Sequence, residues 1–220
     1  MPELSMTIDE LFEAFAANAE KASVEYVGKF VEITGIVTWV LPVSTGNRSV
    51  ISLGVDQDSS IRLLSASVID REPWSIMSKG STTTVKGTLG PDGISLTDAV
   101  IVATSGDSAL QITATDLMKE FVADRKKASD KFFLRQFRMS GTIEMANEGE
   151  VWLKVDGLPK ASVICSFVLQ FDASHPIHSK FKPNDVIHVL AMNPYWYEFV
   201  PPPYESLVKV LMALPYTPRE

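Results

Sequence analysis

Hydrophobic and polar positions along this chain follow two periods in succession, and the succession occurs twice. Ile8, Leu11, Phe12, Phe15, Ala19 and Ala22 recur at helical spacing and form one apolar stripe. Thr7 and Glu10 ahead of the stripe have the spacing of a capping box, and Gly28 after it suits a helix stop. One helix is therefore predicted from Ile8 to Gly28. The period then drops to two: Val31, Ile33, Gly35 and Val37 alternate with Phe30, Glu32, Thr34 and Ile36, as in a long strand. A glycine inside such a strand predicts a bulge or tight bend. Four more strands are predicted near 48–55, 61–68, 82–89 and 94–102, with a short helical connection at 71–80.

A constant shift of 106 positions superimposes residues 6–37 on 112–143. Leu11 falls on Leu117, Phe15 on Phe121, Lys21-Ala22-Ser23 on Lys127-Ala128-Ser129, and Gly35 on Gly141. A gapless match at about one domain length implies duplication. The second copy predicts a helix from Thr113 and strands near 136–145, 151–155, 162–168, 185–191 and 207–214. Helix, three strands, short helix and closing hairpin is the layout of a five-stranded OB barrel. The expected fold is mainly β with helices (α+β): two tandem OB-like β-barrels, each preceded by an N-terminal α-helix, over 1–105 and 109–220.

The motifs also carry a resemblance. Ala22, Tyr26-x-Gly28-Lys29-x-Val31-x-Ile33-x-Gly35-x-Val37 and the later Lys79-Gly80-x-x-x-x-Val85-Lys86-Gly87 resemble the tRNA-anti-like group of bacterial OB-fold proteins. The second copy resembles it more loosely, with Phe132 for the tyrosine and Leu134-Arg135 for the glycine–lysine pair. The resemblance implies the barrel and, by analogy among barrels, nucleic-acid binding.

Composition narrows the function. With 45% hydrophobic and 21% charged residues, each half has the makings of a packed core. The net charge of −7 is uneven: residues 1–105 carry 7 Lys/Arg against 13 Asp/Glu, and 106–220 carry 13 against 14. An acidic first half argues against one long phosphate-binding track. The single cysteine, Cys165, excludes an internal disulfide and a four-thiolate zinc site. Its alternation with Val163 and Phe167 predicts a buried thiol. No stretch of about 20 apolar residues is present for a membrane span, and Met1–Thr7 lacks the form of a secretory leader, so a cytoplasmic protein is expected. His175 and His178 flank a proline and read as loop histidines; His188 reads as a surface strand residue. No Gly-rich phosphate loop or nucleophile elbow occurs, so neither a cofactor nor an enzyme is expected.

Binding surfaces remain. OB barrels bind on the face of their second and third strands, beside the 1–2 and 4–5 connections. Trp39 and Arg48 belong there in the first copy, where Trp39 either stacks a base or fills the barrel's end. In the second copy Trp152 and Lys154 share a parity opposite to Val151, Leu153 and Val155, which predicts an outward Trp beside a Lys. The basic run Arg125, Lys126, Lys127, Lys131, Arg135 and Arg138 is either a phosphate footprint or the solvated face of a helix. The segment 193–204, rich in Tyr, Trp and Pro, reads as an aromatic loop presenting Tyr195 and Trp196. Two functions follow: a non-enzymatic binder of single-stranded nucleic acid, touching Trp39, Arg48, Trp152, Lys154, Tyr195 and Trp196, or an assembly module whose 193–204 loop meets a protein partner or a second copy.

Overall fold

The computed structural model describes residues 4–42, 48–70, 72–106, 109–133, 135–147, 149–167, 181–198 and 203–219. They form two compact units, Met1–Ser108 and Ala109–Glu220. The first runs β1 (Leu4–Thr7), α1 (Ile8–Ala17), α2 (Ala19–Tyr26), β2 (Phe30–Pro42), β3 (Ser49–Gly54), β4 (Leu64–Val68), a 3-10 turn at Pro73–Ser75, β5 (Thr82–Leu89) and β6 (Ser95–Ser105). The second runs β7 (Leu110–Thr113), α3 (Ala114–Ala123), α4 (Arg125–Phe132), β8 (Gln136–Asn147), β9 (Glu150–Lys154), β10 (Ala161–Phe167), β11 (Val186–Tyr197) and β12 (Ser206–Tyr216).

Each unit closes five strands into a barrel. The orders are β2-β3-β4-β6-β5, returning to β2, and β8-β9-β10-β12-β11, returning to β8. Around each ring every pairing is antiparallel except β4–β6 and β10–β12. That is the OB topology expected from the strand order. Closure depends on the long first strand, which serves two neighbours. Phe30–Ile36 pairs with β5, and Ile36–Pro42 pairs with β3.

Four local features depart from the sequence reading. Each barrel gains a short sixth strand, β1 or β7, parallel to the first half of β2 or β8. Each predicted single helix is two helices. Asn18 and Asp124 break them in extended conformation (φ −161° and −160°), and their side chains cap α2 and α4 by accepting from the Lys21 and Lys127 amides. A short polar side chain replaces the lost intrahelical partner, so the break costs little. Beyond it the apolar stripe lapses: Ala19 is exposed, and only Ala22 of α2 is buried. The capping box itself is present at Thr7–Glu10. The bulge, finally, lies beyond the glycine, between Val37 and Trp39 and again between Ile143 and Met145. Gly35 instead makes room for the helix, since a Cβ there would lie 3.1 Å from Leu53 and 3.4 Å from Ile8. A Cβ on Gly141 would meet Leu153 at 2.9 Å and Ala114 at 3.0 Å. Ala114 stands 106 positions after Ile8, so the same close approach recurs.

The cores are the inward positions of the alternation. Val31, Ile33, Val37, Ile51, Leu53, Leu64, Ala66, Val68 and Val85 are buried in the first barrel, joined by Trp74 and Met77 from the connection after β4. In the second, Phe121 and Phe132 of α3 and α4 stack at 6.4 Å, and Phe132 meets Phe137 of β8 at 5.1 Å. Burying each such side chain contributes about 1.5–3 kcal/mol.

Candidate functional site

The bulge after Val37 sets the surface of the first barrel. Val37 and Val40 both point inward, so the two residues between them absorb an extra half-period. Thr38 is buried and donates its hydroxyl to the Ser52 carbonyl at 3.2 Å. Trp39 is turned outward and is 37% exposed, which answers the alternative that it fills the barrel's end. Cross-strand register then defines a row over the outer face: Trp39 opposite Ser52, Ser52 opposite Ser65, Ser65 opposite Ser95. Val50 opposite Ser67 forms the next row. Ser65 is exposed, and Val50, Ser52, Ser67 and Ser95 are half-buried.

An open indole beside a floor of small hydroxyl side chains has a specific capability. A planar ring can stack on Trp39, and its polar edge can approach the serines and the strand backbone without steric obstruction. Charge is sparse. Arg48, just before β3, pairs with Asp98 at 2.5 Å, both half-exposed, so its cation is shared with a carboxylate. Asp98 lies in the left-handed region at φ 51°, where its short side chain is tolerated. Residues 43–47 of the adjoining 1–2 connection lie outside the described residues.

The second barrel builds the same row from different chemistry. Met145 stands opposite Trp152, Trp152 opposite Ile164, and Ile164 opposite Lys209. Position for position, Trp39, Ser52, Ser65 and Ser95 are replaced by Met145, Trp152, Ile164 and Lys209. Trp152 does lie on the outer face, as its parity predicts, but it is not available there. Only 9% of it is exposed, because Tyr204 covers it with ring centroids 5.1 Å apart at 39°, and Ile164, Leu207 and Tyr197 surround it. Its indole N–H is buried with no partner among the described residues. An unpaired buried donor costs about 1–3 kcal/mol.

Tyr204 is itself anchored. Its hydroxyl bonds to Glu144, and burial first, then the Glu144 charge, pushes the phenol pKa up. The next residue, Glu205, pairs with Lys160, while the Glu205 and Ser206 amides donate to the Lys160 carbonyl at 2.7 and 3.2 Å. Lys209 donates to Glu150 at 2.6 Å and lies 5.7 Å from the Tyr197 ring. The Glu150 hydrogen bond raises its pKa, so the ammonium is held charged. Lys154 is exposed and donates to Asn184 at 2.6 Å.

The expected aromatic loop is in fact a strand end. β11 continues to Tyr197, with Tyr195 opposite Lys209, Trp196 opposite Val208 and Tyr197 opposite Leu207. Asn193 causes the difference in presentation. At φ 52° it kinks the strand and inverts its parity, sending Trp196 toward the core and Tyr195 and Tyr197 to the outer face. Arg125 then lies 4.0 Å over the Trp196 ring. That cation–π contact explains an arginine where the first copy has Ala19. Residues 199–202 lie outside the described residues.

On α4, Lys126 pairs with Asp130 at 2.7 Å and Lys131 with Glu120 at 2.5 Å, so two of the six cations of the basic run are salt-bridged on the helix face. Asp130 raises the Lys126 pKa. Arg138 lies 5.6 Å from the Tyr216 ring. Burial pushes the Cys165 thiol far up, which leaves it un-ionised. His188 is half-buried against Tyr216. His175 and His178 lie outside the described residues, and among the described residues no metal-binding cluster occurs. No described helix is long and apolar enough to cross a membrane.

Residues 2–105 match the tRNA_anti-like family model. No curated protein matches the chain. Similar solved structures include a lipoprotein of Klebsiella pneumoniae subsp. pneumoniae to which nucleic-acid binding is assigned by inference. It is 19% identical over 46% of this chain and 92% of its own, with a TM-score of 0.37. The telomere capping protein Ten1 from Saccharomyces pombe is 17% identical over 49% and 81%, TM-score 0.27. Fission yeast Pot1, solved with single-stranded DNA, is 12% identical over 85% and 81%, TM-score 0.26.

Proposed function

We propose that this is a non-enzymatic binding protein for single-stranded nucleic acid, acting through the outer face of the first barrel, which lies within the residues 2–105 that match the tRNA_anti-like family model. The observation that carries the reading is Trp39, more than a third exposed at the head of a row of small hydroxyl side chains on the face OB barrels use. A base stacks on the indole, its edge meets Ser52 and Ser65, and Arg48 turns from Asp98 toward a phosphate. In the second unit, Lys154 and Tyr195 are the accessible candidates, while Trp152 and Trp196 are covered in this conformation.

The test is fluorescence anisotropy of a short labelled oligothymidylate. Trp39→Ala is expected to weaken binding by about 1–3 kcal/mol, the contribution of one base–aromatic stack. The salt slope should be shallow, no steeper than about −1, because Arg48 is the cation this reading brings to a phosphate and a single phosphate contact contributes about −0.7. Binding unchanged by Trp39→Ala, or none at micromolar protein, overturns the reading.

A protein partner is the second reading. Ile94 is 48% exposed and its carbonyl accepts from the Ser65 amide at 2.8 Å, which sets an apolar side chain beside the serine row. Together with the 7-against-13 charge balance of residues 1–105, this suits a polypeptide better than a polyanion. Affinity that is independent of salt and retained for a protein ligand favours this reading over the first.

A further inference from the structure

We propose that the second barrel carries a latent nucleobase-stacking site on Trp152, occupied in this structure by the chain's own Tyr204. The inference rests on the binding reading above and extends it to a second surface. Three observations carry it. Strand register places Trp152 at the centre of the row equivalent to Trp39–Ser52–Ser65–Ser95, one strand over from the position of the exposed indole in the first barrel. The Tyr204 ring lies on Trp152 at 5.1 Å and 39°, as an aromatic ligand would lie. The Trp152 indole N–H is buried and meets no acceptor among the described residues, so Tyr204 supplies a ring but not the acceptor that the indole lacks. A nucleotide can supply both, its base stacking on the indole face and its sugar or phosphate oxygens reaching the indole edge. Glu144, at the bulge position equivalent to Thr38, holds the Tyr204 hydroxyl and sets how firmly the site is filled. Lys154 is exposed two residues along the same strand, where it can meet the following phosphate.

Removing the competitor tests this. In the full chain carrying Trp39→Ala, so that the first face is silenced, Tyr204→Ala is expected to raise affinity for oligothymidylate about tenfold, within the range of one base–aromatic stack. Tyr204→Phe keeps the ring but loses the hydroxyl that Glu144 holds, and is expected to give a gain clearly smaller than that of Tyr204→Ala. Adding Trp152→Ala to the Tyr204→Ala chain should abolish the gain. A Tyr204→Ala chain that keeps its melting temperature yet shows no gain overturns the proposal, as does a gain that survives Trp152→Ala. Should Tyr204→Ala unfold the barrel, Glu144→Ala decides, because it removes the acceptor of the tyrosine hydroxyl and loosens the ring without removing it: a smaller gain supports the proposal and no gain overturns it. The two readings fail separately. Wild-type binding that ignores Trp39→Ala sinks the first, whereas absence of a Tyr204-dependent gain sinks only the second.

Discussion

The outer rows of the two barrels occupy equivalent positions and present opposite surfaces. Trp39–Ser52–Ser65–Ser95 is open, small and hydroxylated. Met145–Trp152–Ile164–Lys209 is bulky, and Tyr204 and Tyr197 close over it. Behind each row the inner positions are alike: Val37, Leu53 and Ala66 answer to Ile143, Leu153 and Cys165, all buried. Inner positions are constrained by a closed volume, where a change of one methylene is felt, while outer positions answer only to what covers them. A barrel can thus change its surface chemistry without changing its fold. Tyr204 from the connection between β11 and β12, with Tyr197, Ile164 and Leu207 around it, separates an exposed indole from a buried one.

The sharpest way to break this comparison is to truncate the two tryptophans. Trp152→Ala is expected to destabilise the second unit by about 3–5 kcal/mol, as for a buried aromatic. Trp39→Ala should change the first unit's stability by less than about 0.5 kcal/mol, as for a surface substitution. Urea unfolding followed by hydrogen exchange in each unit measures both, and equal costs would end the distinction. Next, Leu53→Ala and Leu153→Ala probe the likeness of the interiors. Each is fully buried and should cost about 2–5 kcal/mol, so a large disparity between them in the same experiment would show unlike packing.

Smaller effects sharpen the comparison. Asn18→Ala and Asp124→Ala remove equivalent caps and should each cost about 1 kcal/mol, read as a fall in melting temperature. The least effect is electrostatic and belongs to the first unit. The Thr7 amide donates to Glu10 at 2.7 Å and its hydroxyl at 3.0 Å, and these bonds hold the Glu10 carboxyl below its ordinary pKa. A depressed carboxylate contributes stability above its unfolded pKa, about 4.3, and loses it as pH falls through the lower folded value. Glu10→Gln should therefore be less stable than wild type at neutral pH, with the difference vanishing in acid. A difference that persists in acid would assign the effect to packing instead.

Much of the candidate site is legible as parity. Trp152 and Lys154 are on the outer face, as alternation requires, because a closed barrel admits one face of each strand; Trp39 shares the parity of inward Val37 and reaches the outer face only through the bulge between them. Three features escape such reading. Trp196 turns inward because Asn193 adopts a left-handed backbone, and nothing in the alternation of Pro194 to Tyr197 signals an inversion upstream. The helix break at Asn18 is signalled only by a capping residue inside an otherwise periodic stripe; its recurrence as Asp124, another short cap former at the shifted position, was the available clue. The edge strands β1 and β7 are four residues each, too short to show a period.

From the order of residues alone came the two barrels, their leading helices, the inward-facing core and the outer-face placement of Trp152 and Lys154. These depend on local periodicity and on a repeat within one chain. Tertiary structure alone decided which outward aromatic is free. Trp39 and Trp152 both reach an outer face, and what separates them is a cover led by Tyr204, brought across from a distant connection and held by Glu144 and the Lys160–Glu205 pair. Exposure is a property of neighbours in space, and those neighbours are joined to a residue by the closure of the barrel, not by its place in the chain.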